Sequence, residues 1–252
     1  MIFAAGLGTR LKPITDHMPK AMVSAGGEPL IKHVIEKLKS AGTERIVVNV
    51  HHFATQITDN LKENNNFNTD IRISDESDKL LDTGGGIKKA QDLFDKESPI
   101  LIHNVDILSN VDLKRFYEAG ISNSNIDKES TTADAVLLVS ERKTKRYLLF
   151  DNSMRLVGWT NIETGEVRSP YPNLNPKVCK MYAFAGIHTI SPRLFKMMDE
   201  DFPDKFGIID FYLKACKGHI IKGYVKEDLK LLDVGKLDTL KEAEDFVQTR
   251  ES

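Results

Sequence analysis

The chain has 252 residues, within the reach of one large α/β domain. Its 35 Lys and Arg against 37 Asp and Glu leave a formal charge of -2, so no general attraction to nucleic acid operates, and no apolar run approaches the ~20 residues that span a bilayer. Two cysteines, Cys179 and Cys216, stand far apart with neither a CxxC nor a zinc spacing, which points to a reduced, cytoplasmic setting and to packing roles for both.

In chain order, apolar runs alternate with helical patterns, as expected of a parallel or mixed sheet with helices on both faces. Residues 1–5 read as a strand that starts at Met1 itself, an abruptness that suggests a few residues missing before it. Residues 30–41 carry Leu30, Ile31, Val34, Ile35 and Leu38 at helical spacing, closed by Gly42. A buried strand follows at 45–50, a helix at 54–61, a short strand at 70–74, a helix at 87–94, a strand at 99–103 and a helix at 112–119. The polar stretch 120–132 has no periodicity and reads as a flexible insertion. Beyond it the pattern turns more antiparallel, with strands at 135–139, 147–150, 155–159 and 181–189. Helices at 192–198, 208–217 and 237–246 and strands at 220–225 and 230–233 complete the chain. Without an internal repeat or linker, one compact domain is the economical reading, its two halves meeting at about residue 132.

The stretch Ala4-Ala5-Gly6-Leu7-Gly8-Thr9-Arg10-Leu11 follows the first strand directly. It is not a Walker loop, since GxxxxGK[ST] occurs nowhere, and GxGxxG fails because Leu11 takes the third glycine position. What remains is a turn whose missing side chains let backbone N–H groups approach an anion, with Arg10 able to fork across phosphate oxygens. A plain tight turn with a solvated arginine fits the two glycines alone equally well. Later, Gly84, Gly85 and Gly86 open a helix, where missing side chains and free N–H groups suit close approach of a ligand or, alternatively, close packing. Asp106 and Asp233 each end an apolar strand, at the edge where open α/β sheets bind ligands and where parallel strands of one sheet would bring both to one crevice, although each alone reads more readily as a turn or cap residue.

The first stretch, with Pro13, Thr15, Pro19 and Lys20, resembles the signature loop of the sugar-1-phosphate nucleotidylyltransferases. Leu81-Asp82-Thr83-Gly84-Gly85-Gly86 is similar to that family's nucleoside loop, and His103-Asn104-Val105-Asp106 to its metal-binding strand end. Phe184-Ala185-Gly186-Ile187 and Leu232-Asp233-Val234-Gly235 match later elements in order. The resemblance is nearest to the compact N-acetylmuramate 1-phosphate uridylyltransferase type. It implies a Rossmann-like (GT-A-like) mixed, mostly parallel sheet in a single domain and an Mg²⁺-dependent transfer in which a sugar 1-phosphate displaces pyrophosphate from a nucleoside triphosphate.

By the same resemblance, Arg10 and Lys20 are catalytic. Ala5, Gly6, Gly8, Thr9, Asp82, Gly84, Gly85 and Asn104 bind nucleotide, Arg146 and Gly186 approach the sugar, and Asp106 and Asp233 hold the metal. Substrates would be small molecules, with no nucleic acid or membrane, and no oligomeric state is implied.

The chain also departs from the family. Gly158-Trp159-Thr160-Asn161 stands where many relatives carry Glu-Lys facing the sugar, and Leu231-Leu232-Asp233-Val234-Gly235-Lys236 replaces the usual Trp-x-Asp-x-Gly-Thr. Base and sugar therefore stay open: UTP is favoured, beside a mannose-1-phosphate guanylyltransferase, a cytidylyltransferase for phosphocholine and a binding-only regulatory paralogue. Arg142, Lys143, Lys145 and Arg146 form a basic cluster that also suits a solvated turn. His51 and His52 lack the partners of a zinc site and read as core or edge residues. Trp159 reads as a packing aromatic, and Asp210 as a capping or hydrogen-bonding residue beside the apolar plug of residues 206–213.

Overall fold

The computed structural model describes residues 1–121 and 132–248, so most of the polar stretch 120–132 lies outside the described residues. The first half of the chain comprises β1 (Ile2–Phe3), β2 (Ser24–Ala25), β3 (Glu28–Pro29), α1 (Leu30–Ser40), β4 (Arg45–Val50), α2 (Ala54–Glu63), β5 (Asp70–Asp75), α3 (Asp82–Ala90), β6 (Ile100–Asn104), β7 (Ile107–Ser109) and α4 (Leu113–Ile121). It is followed by β8 (Ala135–Ser140), β9 (Arg146–Phe150), β10 (Leu156–Asn161), β11 (Glu166–Arg168), β12 (Lys180–Ile190), α5 (Phe195–Asp201), α6 (Ile208–Ala215), β13 (Ile221–Val225), β14 (Leu231–Asp233) and α7 (Asp238–Gln248).

The central sheet is mixed, as expected. β5, β4, β1 and β6 run parallel, so that Phe3, Val50, Asp75 and Asn104 end together at one edge. β12 then joins the two halves, pairing antiparallel with β6, β8 and β9, and β9 passes the sheet on to β10 and β11. Helices cover both faces, and the strands are apolar on both sides for that reason. In β4, Ile46, Val48 and Val50 face the core formed with α1, α2, α4 and α7, whereas Val47 faces the core formed with α3, α5 and α6.

Helix α1 shows how sequence sets these layers. Pro29 precedes it in an extended conformation, and Leu30, Ile31, Val34, Ile35 and Leu38 bury one stripe completely or nearly so. Each such side chain contributes about 1.5–3 kcal/mol on leaving water, an upper bound given a compact unfolded chain. Gly42, at φ 88°, then reverses the chain while the Thr43 N–H bonds Leu38 O at 3.1 Å, closing the helix end. The apolar plug at 206–213 is likewise confirmed: Phe206, Ile208, Phe211 and Tyr212 lie in the second core. Trp159 packs there too, with the Arg168 guanidinium 4.1 Å over its ring and Asp210 paired to that arginine.

Two histidines are sealed into the sheet. His188 shares a 2.6 Å hydrogen bond with the Tyr212 hydroxyl, and His103 Nδ1 lies 2.8 Å from Asn104 O. Burial pushes each imidazole down from 6.5 to about 3. Both are neutral in the folded protein and gain protons on unfolding once the pH drops below 6.5. Their contribution is thus intact above that pH and is lost as pH falls toward 3, by up to about 1.4 kcal/mol per pH unit for each. Urea unfolding between about pH 6.5 and about pH 5 should give a free energy that falls as the pH falls. A flat profile would contradict this.

Candidate active site

The loops that follow β1, β5 and β6 converge on a cleft of about 300 Å³ at the shared strand edge. One wall is the glycine loop. Gly8 sits at φ 62°, and its carbonyl accepts both the Leu11 N–H and the Thr15 hydroxyl at 2.8 Å, folding Thr9–Leu11 into a single 3-10 turn. A Cβ at Gly8 would meet the side chains of Thr15 and Lys20, so only glycine fits the turn. Among the described residues the N–H groups of Gly6, Leu7 and Gly8 meet no protein acceptor, which leaves donors for an anion.

Two opposed ion pairs occupy the end of this wall. Lys20, nearly buried, pairs with Asp106, and Arg10, half exposed, lies 3.9 Å from Asp233. The expectation was that the two aspartates converge because both end parallel strands of one sheet. The structure corrects that reason: Asp106 lies in the turn between β6 and β7, and Asp233 ends β14, which pairs antiparallel with β7 in a separate two-stranded sheet. The register sets Asp233 opposite Ile107, and the Val234 N–H bonds Asp106 O at 2.8 Å. Gly235 then leaves room for the Arg10 guanidinium beside Asp233.

The carboxylates suit a hard divalent cation. Asp233 Oδ1 is buried without a hydrogen-bond partner, a costly state for an anionic oxygen that a metal would relieve. No group of three or more metal-ligating side chains exists among the described residues, so an ion here would draw its other ligands from phosphate and water, the habit of Mg²⁺.

Of the residues singled out in the sequence, Ala5, Gly6, Gly8, Thr9, Arg10, Lys20, Asp82, Asn104 and Asp106 line the cleft. Gly186, at φ 75°, abuts the Asn104 amide: a Cβ there would approach Nδ2 to 2.7 Å. Asp82 holds φ 65° at the cleft wall and accepts the Thr83 N–H at 2.9 Å. Arg146 begins β9 at the surface and is not among the lining residues.

Gly84 and Gly85 require a second correction. Both are buried, and their N–H groups donate to Phe206 O at 2.8 and 3.2 Å instead of pointing to the cleft. A side chain at Gly84 would strike the Phe206 ring and one at Gly85 the Asp204 carbonyl. These glycines therefore serve close packing, drawing the chain before α6 onto the N-terminus of α3, where Thr83 Oγ1 also accepts the Ile208 N–H at 3.0 Å.

Sequence reasoning missed Asn49 and Glu76 and gave no role to Thr83 and Gly235, which stand within its motifs; all four also line the cleft. Asn49 had a signal, as the one polar residue inside the apolar run IVVNV, residues 46–50. Glu76, within the polar run Asp75-Glu76-Ser77-Asp78, had none. His51 turns inward, with Nδ1 2.6 Å from Glu76 O, and His52 stacks on Phe53, in keeping with their reading as core or edge residues.

Comparison with known proteins gives the family. The Nucleotidyl transferase family model matches residues 1–147, and the chain belongs to that family. It is similar to the N-acetylmuramate alpha-1-phosphate uridylyltransferase of Caulobacter vibrioides, 44% identical over 108 residues that cover 42% of this chain and 44% of that one. The enzyme of the same name from Neisseria meningitidis is 36% identical over 122 residues, 48% of this chain and 52% of that one. These matches span about half the length of the curated relatives. The solved structure of a UDP-glucose pyrophosphorylase complexed with UDP-glucose shares the fold at a TM-score of 0.76, with 18% identity over 99% of this chain and 97% of that one. No helix among the described residues is long and apolar enough to cross a membrane.

The packing role of Gly85 is open to test. Gly85→Ala should destabilise the protein by about 1–3 kcal/mol, as overpacking against backbone does. Urea denaturation measures it, and an unchanged midpoint would show that the 204–206 segment yields freely.

Proposed function

We propose that the protein condenses a nucleoside triphosphate, UTP by preference, with a sugar 1-phosphate to give a nucleoside diphosphate sugar and pyrophosphate. The observation that carries this reading is the set of two cations and two carboxylates gathered beside a glycine loop with free N–H donors. In the transfer, an oxygen of the acceptor phosphate forms a bond to the α-phosphorus while the bond from that phosphorus to the bridging oxygen breaks. The electron pair leaves with pyrophosphate. The acceptor phosphate is already an anionic nucleophile, so no protein base is needed, and the buried His103 takes no part in proton transfer.

The work of the side chains is alignment and charge neutralisation. Arg10, half exposed and held only by a long contact to Asp233, is free to fork across the triphosphate and to stabilise the departing pyrophosphate. Lys20 presents a point charge deeper in the cleft, suited to the α-phosphate or the acceptor phosphate. The Gly6–Gly8 donors cradle phosphate oxygens without moving. Asp106 and Asp233 would hold Mg²⁺, which when bound supplies Lewis-acid neutralisation of the phosphoryl oxygens. N-acetylmuramate 1-phosphate is the favoured acceptor because relatives carrying that name match the glycine-loop half of this chain.

Pyrophosphate release across UTP, GTP, CTP and TTP, each with N-acetylmuramate 1-phosphate, mannose 1-phosphate, glucose 1-phosphate and phosphocholine, tests the reading. UTP with a sugar 1-phosphate should turn over fastest. GTP with mannose 1-phosphate, or CTP with phosphocholine, would replace the substrate assignment, and nucleotide binding without turnover would overturn the enzymatic one. Arg10→Ala should lower kcat about 10²- to 10³-fold. Its unfolding midpoint should hardly change, since the arginine makes only an exposed pair. An unchanged kcat would remove Arg10 from the mechanism.

A further inference from the structure

At the floor of the cleft lie two polar side chains that the reaction above does not use. Asn49 is 1% exposed and Glu76 is fully buried. Asn49 Oδ1 accepts the Ala4 N–H at 2.7 Å and the Ala5 N–H at 3.3 Å, the two amides that lead into the glycine loop. Asn49 Nδ2 donates to Glu76 Oε1 at 2.7 Å, and Glu76 Oε2 accepts the Leu81 N–H at 3.1 Å, one residue before Asp82. A chain of hydrogen bonds thus runs from one wall of the cleft to the other. A buried carboxylate is costly in an apolar setting, and here it is held by amide donors instead of a cation.

The polarity of this chain is fixed. The Ala4, Ala5 and Leu81 amides can only donate, so the outer atoms of the relay must both accept. An amide at 49 and a carboxylate at 76 satisfy that condition with one donor between them. An amide at both positions must set donor against donor somewhere, and a carboxylate at both sets acceptor against acceptor. Interchanging the two groups, carboxylate at 49 and amide at 76, satisfies every bond again.

Resting on the nucleotide-binding reading above, we infer that Asn49 and Glu76 are positioning residues whose one-way relay fixes the glycine loop relative to the Asp82–Thr83 wall and so sets nucleotide affinity. Gly86 leaves the room it needs, since a Cβ there would press on Glu76 Oε1 at 2.8 Å and on Asn49 Nδ2 at 3.2 Å. Loss of the relay loosens both walls together, whereas the Lys20–Asp106 pair, which takes no part in it, is untouched.

The test is a reciprocal exchange. Asn49→Asp, Glu76→Gln and the double variant are compared for the affinity of UTP and of GTP with Mg²⁺, for KM of the sugar phosphate, and for amide hydrogen exchange at Ala4, Ala5 and Leu81. Each single variant should weaken the bound triphosphate about ten- to hundredfold, the cost of leaving a buried partner unpaired, and should speed exchange at those amides. The double variant should recover both affinity and protection, and KM for the sugar phosphate should hold throughout. Should a single variant fail to fold, a folded double variant with wild-type affinity still supports the relay, and a double variant that also fails overturns it. Protection that recovers while affinity never changed would defeat the positioning role alone. A wild type that binds none of UTP, GTP, CTP and TTP would defeat the nucleotide reading and this role with it, and the exchange rates would tell the two failures apart.

Discussion

Two ion pairs set side by side organise the cleft: Lys20 with Asp106 and Arg10 with Asp233. Their carboxylates come from chain segments more than a hundred residues apart, joined by the β7–β14 pairing and the bond from the Val234 N–H to Asp106 O. The exposed pair is worth at most about 1 kcal/mol, and the nearly buried one trades its attraction against desolvation. Stability does not explain the cluster. Each charge is held in place by its opposite, and the four sum to zero. The lone Asp233 Oδ1 marks where that balance is incomplete.

The rest of the fold serves that cluster. Parallel pairing of β5, β4, β1 and β6 brings four strand ends to one edge, and the two cores pack the sheet from both faces. Glycine is used there in two opposite ways. Gly8 accepts a left-handed turn that leaves the N–H groups around it open, whereas Gly84 and Gly85 close their N–H groups onto Phe206 so that the second half of the chain can seat against the first. An identical residue type thus builds an anion cradle in one loop and an internal joint in the next.

How much of this the sequence reveals depends on the range of the interaction. Residues 30–41 and 45–50 announce themselves because helix and strand periods are local, and the observed elements Leu30–Ser40 and Arg45–Val50 agree with them. Nine of the residues singled out in advance line the cleft, because strand ends and glycine turns carry local signals. The three-residue strand β7 was invisible, being too short to show a period, and with it the true reason that Asp106 meets Asp233. The role of Gly84 and Gly85 was hidden for a related cause: their partner, Phe206, lies over a hundred residues downstream, and a glycine run looks the same whether a ligand or a backbone comes close. Glu76 gave no sign at all, since its burial follows from tertiary packing of an otherwise polar loop.

The central claim is that Asp106 and Asp233 act as one unit on one divalent ion. The direct measurement is pyrophosphate release against Mg²⁺ concentration for Asp106→Asn, Asp233→Asn and the double variant, with unfolding midpoints of each apo protein. Asp106→Asn strands the nearly buried Lys20 and should lower the apo midpoint, while Asp233→Asn, at an exposed pair, should not. Both single variants should demand more Mg²⁺, and the double should lose far less than the two single losses added together, as groups serving one ion do. Losses that simply add, or a wild type that stays active under excess chelator, would contradict the account.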